Sequence, residues 1–566
     1  MLKVQSHPRG LAISALEGAD INVLLRRLDE HTMRDEVKLH RGLIILPISL
    51  AGEVFTLLKG EKVSWDEYIF TVAQKQCLHR EKQLRARTEV AGALEHQTPA
   101  LIDSDLTARL DAHQISAVAA ITVPSLRGLA LFDEQGTGKT IIALASFDRL
   151  RSTGNVQRLL VVAPKSVLGV WQSDCRKLLE SKYVVANATG PMRNRRRAIQ
   201  SQHDILLVSY ETAVRELGLI KMTVAADPST YMLVVDESYF IKNSKTNRSR
   251  AIAIIRPFCE RAIALCGSPA PNSPLDVVNQ VDITDGGVAF AGRVIPKERH
   301  AASVEVKKGL DQAIYLRRLK EEVLPEIPAK HFERVFIDLQ PVQKAMYLRV
   351  RDELITLVRN TSDREFLRHL STFLAKRSAL LQICSNPTAV DPLYTEVPAK
   401  LLALDQLLNE LINNENKKVI IWSFFRSSLQ AISDRYRQYG LVRIDGSVVK
   451  VEDRIEAIHR FQNDDDVRLF VGNAAAAGAG ITLTASHHAI YESFSNQAAH
   501  YMQSVDRIHR RGQAAIVTNH VLLTSQTIEI KEFDLILQKE ENARDLLGDS
   551  YKSSTTRTRF LTDLGA

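Results

Sequence analysis

The densest chemistry in the chain lies between Asp133 and Thr140, in the run Asp-Glu-Gln-Gly-Thr-Gly-Lys-Thr. An apolar stretch, Leu129-Ala130-Leu131, leads into it and a helix-compatible pattern follows, so the segment reads as strand, glycine loop, helix. In that setting Glu134, Gly136, Thr137 and Gly138 form a phosphate cradle: the glycines let backbone N–H groups approach phosphate oxygens, and the helix N-terminus adds positive field. Lys139 reaches the terminal phosphates and the Thr140 hydroxyl can hold Mg²⁺. Asp133 stands where the pattern usually has its first glycine. About a hundred residues on, a second apolar run, Met232 to Val235, delivers Asp236-Glu237. A carboxylate at a strand end beside a phosphate loop can bind the metal and a second can polarise the attacking water, which assigns Asp236 to Mg²⁺ and Glu237 to the general base. Near the end, QSVDRIHRRGQ puts Arg507 and Arg510 at i, i+3 on one helical face. Two such guanidinium groups either neutralise charge developing on a γ-phosphate or form a solvated basic turn.

The elements that must hold these residues alternate. From about Leu106, short β-rich runs (Leu129–Leu131, Leu159–Val162, Ile205–Val208, Met232–Val235, Ala262–Leu265) alternate with helical patterns, as in a parallel sheet. Ligands gather beyond the carboxyl ends of such strands. Charged helical sequence follows (Gln343–Arg359, Arg364–Ile383), then a second series, Val419–Trp422, Leu441–Ile444, Val467–Val471, Ala489–Tyr491 and Val517–Leu523. The expected organisation is an N-terminal α/β accessory domain (1–104), an α/β lobe (105–325), a helical insertion (326–399), a second α/β lobe (400–547) and a mobile tail (548–566) with the Ser/Thr-rich run Ser553–Thr558. Within the first segment, Gly42–Leu46 reads as a strand and Asn22–His31 and Trp65–Arg87 as helices. It closes on the polar run His96–Asp105. This domain serves either as a scaffold or as a sensor of DNA structure or a protein partner.

At 566 residues the chain exceeds one core. A net charge of +8 favours a polyanionic partner without proving one. The basic run Arg193, Arg195, Arg196, Arg197 is either a solvated helix or a nucleic-acid-facing patch. The five cysteines are scattered with no Cys-x-x-Cys, which points to reduced thiols in a cytoplasmic setting and not to zinc. No signal peptide is read, and the apolar run from Gly42 to Gly52 is too short to span a bilayer, so no membrane role is expected. Clustered aromatics are lacking, which argues against stacking on single strands as the main binding mode.

A wider set of motifs resembles the Swi/Snf-type ATPases of helicase superfamily two, over about Leu110 to Leu547. DEQGTGKT is similar to the family's first motif, VVAPKSVLGVW (Val161–Trp171) to the next, and LLVSYET, VVDESYFIKN and CGSPAPNSPLD follow in order. YLRRLKEEVLPEIPAK (Tyr315–Lys330) and LLQICSNP (Leu380–Pro387) are characteristic of this branch. VIIWSFF, RIDGS, AGAGITLTAS and SVDRIHRRGQ complete the second lobe.

The resemblance implies two RecA-like parallel-sheet lobes with ATP and Mg²⁺ between them and double-stranded DNA across both. Gln114 then stands at the adenine-reading position, Gly480 and Gln503 join the ATP site, and Arg507 and Arg510 become arginine fingers. Implied DNA contacts are Lys165, Ser166, Ser209, Tyr210, Lys242 and Asn243 in the first lobe, and Ser423, Arg426 and Thr484 in the second. Departures from the family pattern are Tyr239 in place of His, Ala477-Gly478-Ala479-Gly480 in place of Gly-Gly-x-Gly, and Gln135 and Thr137 in place of Met and Leu. The expected activity is an ATP-dependent duplex-DNA translocase that remodels protein–DNA complexes or forked and branched DNA. It resembles compact bacterial or viral members and the fork-remodelling branch, and if bacterial it is nucleoid-associated. The alternatives are a strand-separating helicase on DNA or RNA, and a non-cycling, ATP-gated DNA-binding subunit of a defence or repair complex.

Overall fold

The structure is a computed structural model and describes residues 2–8, 10–15, 38–40, 43–46, 48–95, 109–226, 230–291, 293, 295–296, 298–448, 451–475, 481–495 and 497–547. The expected helix Asn22–His31, the run His96–Asp105, the tail Ser553–Thr558 and Ala477 to Gly480 all lie outside the described residues. The chain divides into two compact units, Met1–Arg318 with Leu546–Ser550, and Leu319–Asp545 with Tyr551–Ala566.

The first unit begins with a five-stranded sheet of β1 (Leu2–His7), β2 (Gly10–Ala15), β3 (Lys38–His40), β4 (Leu43–Leu46) and β5 (Val63–Trp65), in the order β3-β4-β2-β1-β5. Its apolar face, with Val4, Leu11, Ile13, Ile44 and Leu46, closes on Leu50, Val54, Ile69 and Ala73. The segment Trp65–Arg87, expected as helix, starts as β5, and the helix runs Glu67–Glu95. Asp66 sets that start, its carboxylate accepting the Ile69 N–H at 3.1 Å as an N-cap does.

The second sheet of this unit holds β6 (Gly128–Leu131), β7 (Arg158–Ala163), β8 (Val185–Ala188), β9 (Ile205–Ser209), β10 (Tyr231–Asp236), β11 (Arg261–Leu265) and β12 (Tyr315–Leu316). Their order is β12-β6-β11-β10-β7-β9-β8, and every pairing is parallel. Every residue of β6, β9, β10 and β11 is buried, because helices cover both faces of such a sheet and its strands read as continuous apolar runs. That continuity made these strands legible. Four-residue β8, interrupted by Asn187 and only partly buried, and two-residue β12 lack it. The order places β6, β11 and β10 side by side, so the three loops that leave them emerge together.

The second unit contains a six-stranded parallel sheet, β13 (Lys330–Ile337), β14 (Val419–Trp422), β15 (Leu441–Ile444), β16 (Leu469–Gly472), β17 (His488–Tyr491) and β18 (Val517–Thr524), in the order β13-β18-β17-β14-β16-β15. Here the expected organisation needs correction. Residues 330–337, placed in the helical insertion, form the edge strand β13, paired with β18 along all eight residues. An edge strand carries charge where a central one cannot, and Lys330, Glu333 and Arg334 hide its period-two pattern. Helices Pro341–Arg359, Asp363–Arg368 and Leu370–Ser385 make up most of the rest of 326–399, the last two separated at His369. All five cysteines are free, and burial pushes the thiols of Cys175, Cys259, Cys266 and Cys384 up to about 12.

Candidate functional site

The phosphate loop leaves β6 through Phe132 and Asp133, both fully buried. Asp133 takes the place of a glycine because its carboxylate is an anchor: the Arg318 guanidinium grips it, with Nε 3.1 Å from each oxygen. Arg317 donates to the carbonyls of Phe132 at 2.6 Å and Gly267 at 3.1 Å, so the Arg-Arg pair ties β12 to the loop. Gly136 (φ 90°) and Gly138 (φ 86°) lie in the left-handed region, and a Cβ at Gly138 would sit 2.2 Å from Gln114 Nε2. Helix Lys139–Ser152 starts directly from that glycine. Gln114, implied as the adenine reader, is engaged at both ends of its amide: Nε2 donates to Thr137 O at 3.1 Å and Oε1 accepts from Asp111 N at 3.1 Å. It buttresses the loop. Lys139 folds over the loop's own carbonyls, donating to Asp133 O at 2.8 Å and Glu134 O at 3.0 Å. Burial lowers its pKa, against the opposing charges of Glu237 and Asp133. Thr137 closes the turn through Oγ1 to Glu134 O at 2.9 Å, and Thr140 is half-buried on the first helical turn.

Two strands away, β10 delivers Asp236 and Glu237. Asp236 is fixed from two sides, Oδ2 accepting from the Trp171 indole and Oδ1 from the Glu237 N–H, both at 2.8 Å. Burial raises its pKa, and these two donors and Lys139 pull the other way. Glu237 adopts φ 49°, a rare left-handed backbone for a non-glycine, which turns the chain sharply at the strand end. Gln135 Nε2 donates to Glu237 Oε1 at 3.3 Å. This donor set suits Mg²⁺: each Asp236 oxygen accepts one hydrogen bond and keeps a lone pair, the Thr140 hydroxyl is a hard oxygen ligand, and Mg²⁺ is commonly held by one or two carboxylates plus substrate phosphates. Tyr210 does not offer the DNA contact implied for it, being buried with its hydroxyl 2.7 Å from Asp236 O. Ser209 is likewise buried, as the N-cap of helix Tyr210–Arg215.

In the second unit the helix carrying Gln503 and Arg507 spans Ala498–Ile508 and buries both residues. Arg510 is not on it, which corrects the expected i, i+3 face. His509 leaves the helix at ψ 75°, and Arg510 turns back to cap the C-terminal end, Nε donating to Asp506 O at 2.9 Å and Nη1 to Thr482 Oγ1 at 3.1 Å. Burial would push the Asp506 carboxyl up, but buried Lys320, bonded to it, and Lys330 outweigh that and hold it down. The lysine of the Arg-Arg-Leu-Lys block thus anchors this helix.

Among the other implied DNA contacts, Lys165 and Ser166 are exposed on the turn after β7, Asn243 is exposed, and Arg426 is exposed at the start of helix Arg426–Arg435. Lys242 pairs with Asp276 at 3.0 Å, and Thr484 accepts from Gln462 at 3.4 Å. Ser423 is buried, donating to Glu492 Oε2 at 2.7 Å, so its hydroxyl is already used. In the basic run, Arg195 and Arg196 both clamp buried Glu216, at 2.8 and 2.9 Å, while Arg193 and Arg197 face solvent. Trp171, Gln135 and the Arg317–Arg318 pair are the functional residues that residue type alone did not assign. The signal for all of them lay within the motifs, as an aromatic at the end of one, a polar residue at a usual Met position, and a double arginine.

These strand-end motifs, in this order, define a nucleotide-hydrolysing lobe followed by a second parallel-sheet domain. The chain belongs to the SNF2-related domain family, whose model matches residues 73–389, and the helicase conserved C-terminal domain matches residues 399–512. DNA annealing helicase and endonuclease ZRANB3 of Homo sapiens is 27% identical over 447 residues, which cover 72% of this chain and 38% of that protein. An uncharacterized ATP-dependent helicase of Mycoplasma pneumoniae is 27% identical over 427 residues, covering 73% and 40%. The chain therefore spans about two fifths of the length of these relatives. A solved SWI2/SNF2 ATPase core of Sulfolobus solfataricus in complex with dsDNA is 22% identical, with a TM-score of 0.36, covering 79% of this chain and 97% of that one. Among the described residues, no helix is long and apolar enough to cross a membrane.

Proposed function

We propose that this protein is a Swi/Snf-type translocase on double-stranded DNA whose ATPase is DNA-stimulated and Mg²⁺-dependent, and that it remodels protein–DNA complexes or forked and branched DNA. One observation carries the reading: the neighbouring ends of β6, β11 and β10 bring a glycine phosphate loop, its lysine and a buried Asp-Glu pair to one place. In this reading Gly136, Gly138 and the helix N-terminus hold the phosphates, and Lys139 exchanges the loop carbonyls for the terminal phosphates. Glu237 takes the proton of the attacking water. Mg²⁺, held by Thr140 and Asp236, would neutralise charge on the β- and γ-phosphate oxygens. Gln114, Glu134 and Thr137 complete the first unit's part of the nucleotide site.

DNA as the track is supported by family membership, by the name of the human relative and by the net charge of +8. A motor that steps over any sequence relies on phosphate contacts, for which exposed Lys165, Ser166, Asn243 and Arg426, with Lys242 and Thr484, are the candidates. The N-terminal sheet is the candidate contact for a DNA junction or a protein partner, and the expected location is the cytoplasm or nucleoid. Steady-state ATP hydrolysis with no nucleic acid, single-stranded DNA, duplex DNA, forked DNA and duplex RNA tests the proposal, with Lys139→Ala as blank. Strong stimulation by duplex or forked DNA is expected. Stimulation by single strands or RNA alone would replace the reading with a strand-separating helicase, and no turnover on any of them with an ATP clamp.

A further inference from the structure

Gln135 occupies a position where a donor changes what the neighbouring acid can do. It is buried, as is Glu237, and its Nε2 is 3.3 Å from Glu237 Oε1. The room for its side chain comes from Gly267, in the loop after β11: a Cβ there would lie 2.5 Å from Gln135 Cγ and 3.1 Å from its Cδ and backbone N. That wall is itself pinned, because Arg317 donates to the Gly267 carbonyl at 3.1 Å. Glu237 enters from the other side on its left-handed backbone. The loops after β6, β11 and β10 thus close on one amide–carboxylate contact, with a glycine making the space. A methionine at 135 has no N–H to offer and would set a weakly accepting sulfur against a carboxylate.

We infer that Gln135 is a positioning residue for ATP hydrolysis, its amide N–H holding the Glu237 carboxylate in the orientation from which it accepts the water proton. The inference rests on Glu237 being the general base.

The test uses the full chain with duplex DNA, measuring kcat and KM for ATP, with thermal melting of each variant. Gln135→Met is expected to lower kcat about 5- to 20-fold, with KM for ATP within about twofold of wild type. Gln135→Glu, which places a like charge against Glu237, lowers kcat further at the same KM. Gly267→Ala, which displaces the Gln135 side chain, reproduces the Gln135→Met loss and adds none in a Gln135→Ala background. A kcat within about twofold of wild type in both Gln135→Met and Gln135→Glu, while Glu237→Gln is inactive, overturns the role of Gln135 and leaves the base assignment standing. Normal turnover by Glu237→Gln removes the base assignment and the positioning role together. If one variant melts early, the others and Gln135→Asn carry the same readout.

Discussion

Both parallel sheets deliver acids at the carboxyl end of a strand, and they use them in opposite ways. In the first unit β10 ends in Asp236, with Glu237 next, and both face the phosphate loop: Asp236 accepts one hydrogen bond on each oxygen, and Glu237 Oε1 accepts from Gln135. In the second unit β17 is followed at once by Glu492, and that carboxylate is spent on the protein: Oε2 accepts from Ser423 and Ser493, both at 2.7 Å, and Oε1 from Ser385. Lys400 bonds the Glu492 carbonyl and pairs with buried Glu529. Strand-end position selects where chemistry can happen. Whether it does depends on how many donors each oxygen already has. The block containing Ser385 is therefore a tie from the inserted helices to the sheet.

The sharpest way to break this contrast is Glu237→Gln. It is expected to cut ATP turnover by about 10²- to 10⁴-fold while leaving the melting temperature near wild type, measured by steady-state hydrolysis and calorimetry. Glu492→Leu is expected to do the reverse. Three serine hydroxyls lose their acceptor, which costs about 2–4 kcal/mol in denaturant unfolding; turnover per folded molecule falls far less than for Glu237→Gln. Equal loss of turnover without loss of stability would put Glu492 in the chemistry and end the contrast.

A third acid sharpens it at the smallest scale. Asp282, on helix Val278–Asp285, has an Oδ1 with no hydrogen-bond partner, and burial, with the charge of Asp285, pushes its carboxyl up to about 7. Its folded pKa is thus raised above the unfolded value, so the folded state holds an extra proton between about pH 4 and 7. Stability falls as pH rises through that window, and Asp282→Asn flattens the fall, read as unfolding midpoints at pH 5 and pH 8.

The phosphate loop, the Asp-Glu pair and ten of the strands were legible because each couples an apolar run to a polar ending, a pattern local in sequence. What escaped depended on distant partners. The Gln135–Glu237 contact requires a glycine 132 positions beyond Gln135, and the burial of Ser423 depends on Glu492. Arg507 and Arg510 have helical spacing, yet the side chain of Arg510 itself ends the helix. β13 looked helical because an edge strand tolerates charge, and Lys330, Glu333 and Arg334 break up its apolar residues.

Helix Glu67–Glu95 has one end in the N-terminal core, through Ile69 and Ala73, and bonds the ATP-binding lobe twice further along. His79 Nε2 lies 2.5 Å from Asp285 O and Glu89 accepts from Ser125 at 2.6 Å, while Gly286, at φ 74°, leaves His79 just enough room. The helix is a strut and not a tether. Anyone trimming the protein to its motor, or swapping the N-terminal sheet for that of a relative, has to cut before Glu67, since a cut at residue 73, where the family match begins, would sever the strut and leave its lobe-side bonds on a frayed end.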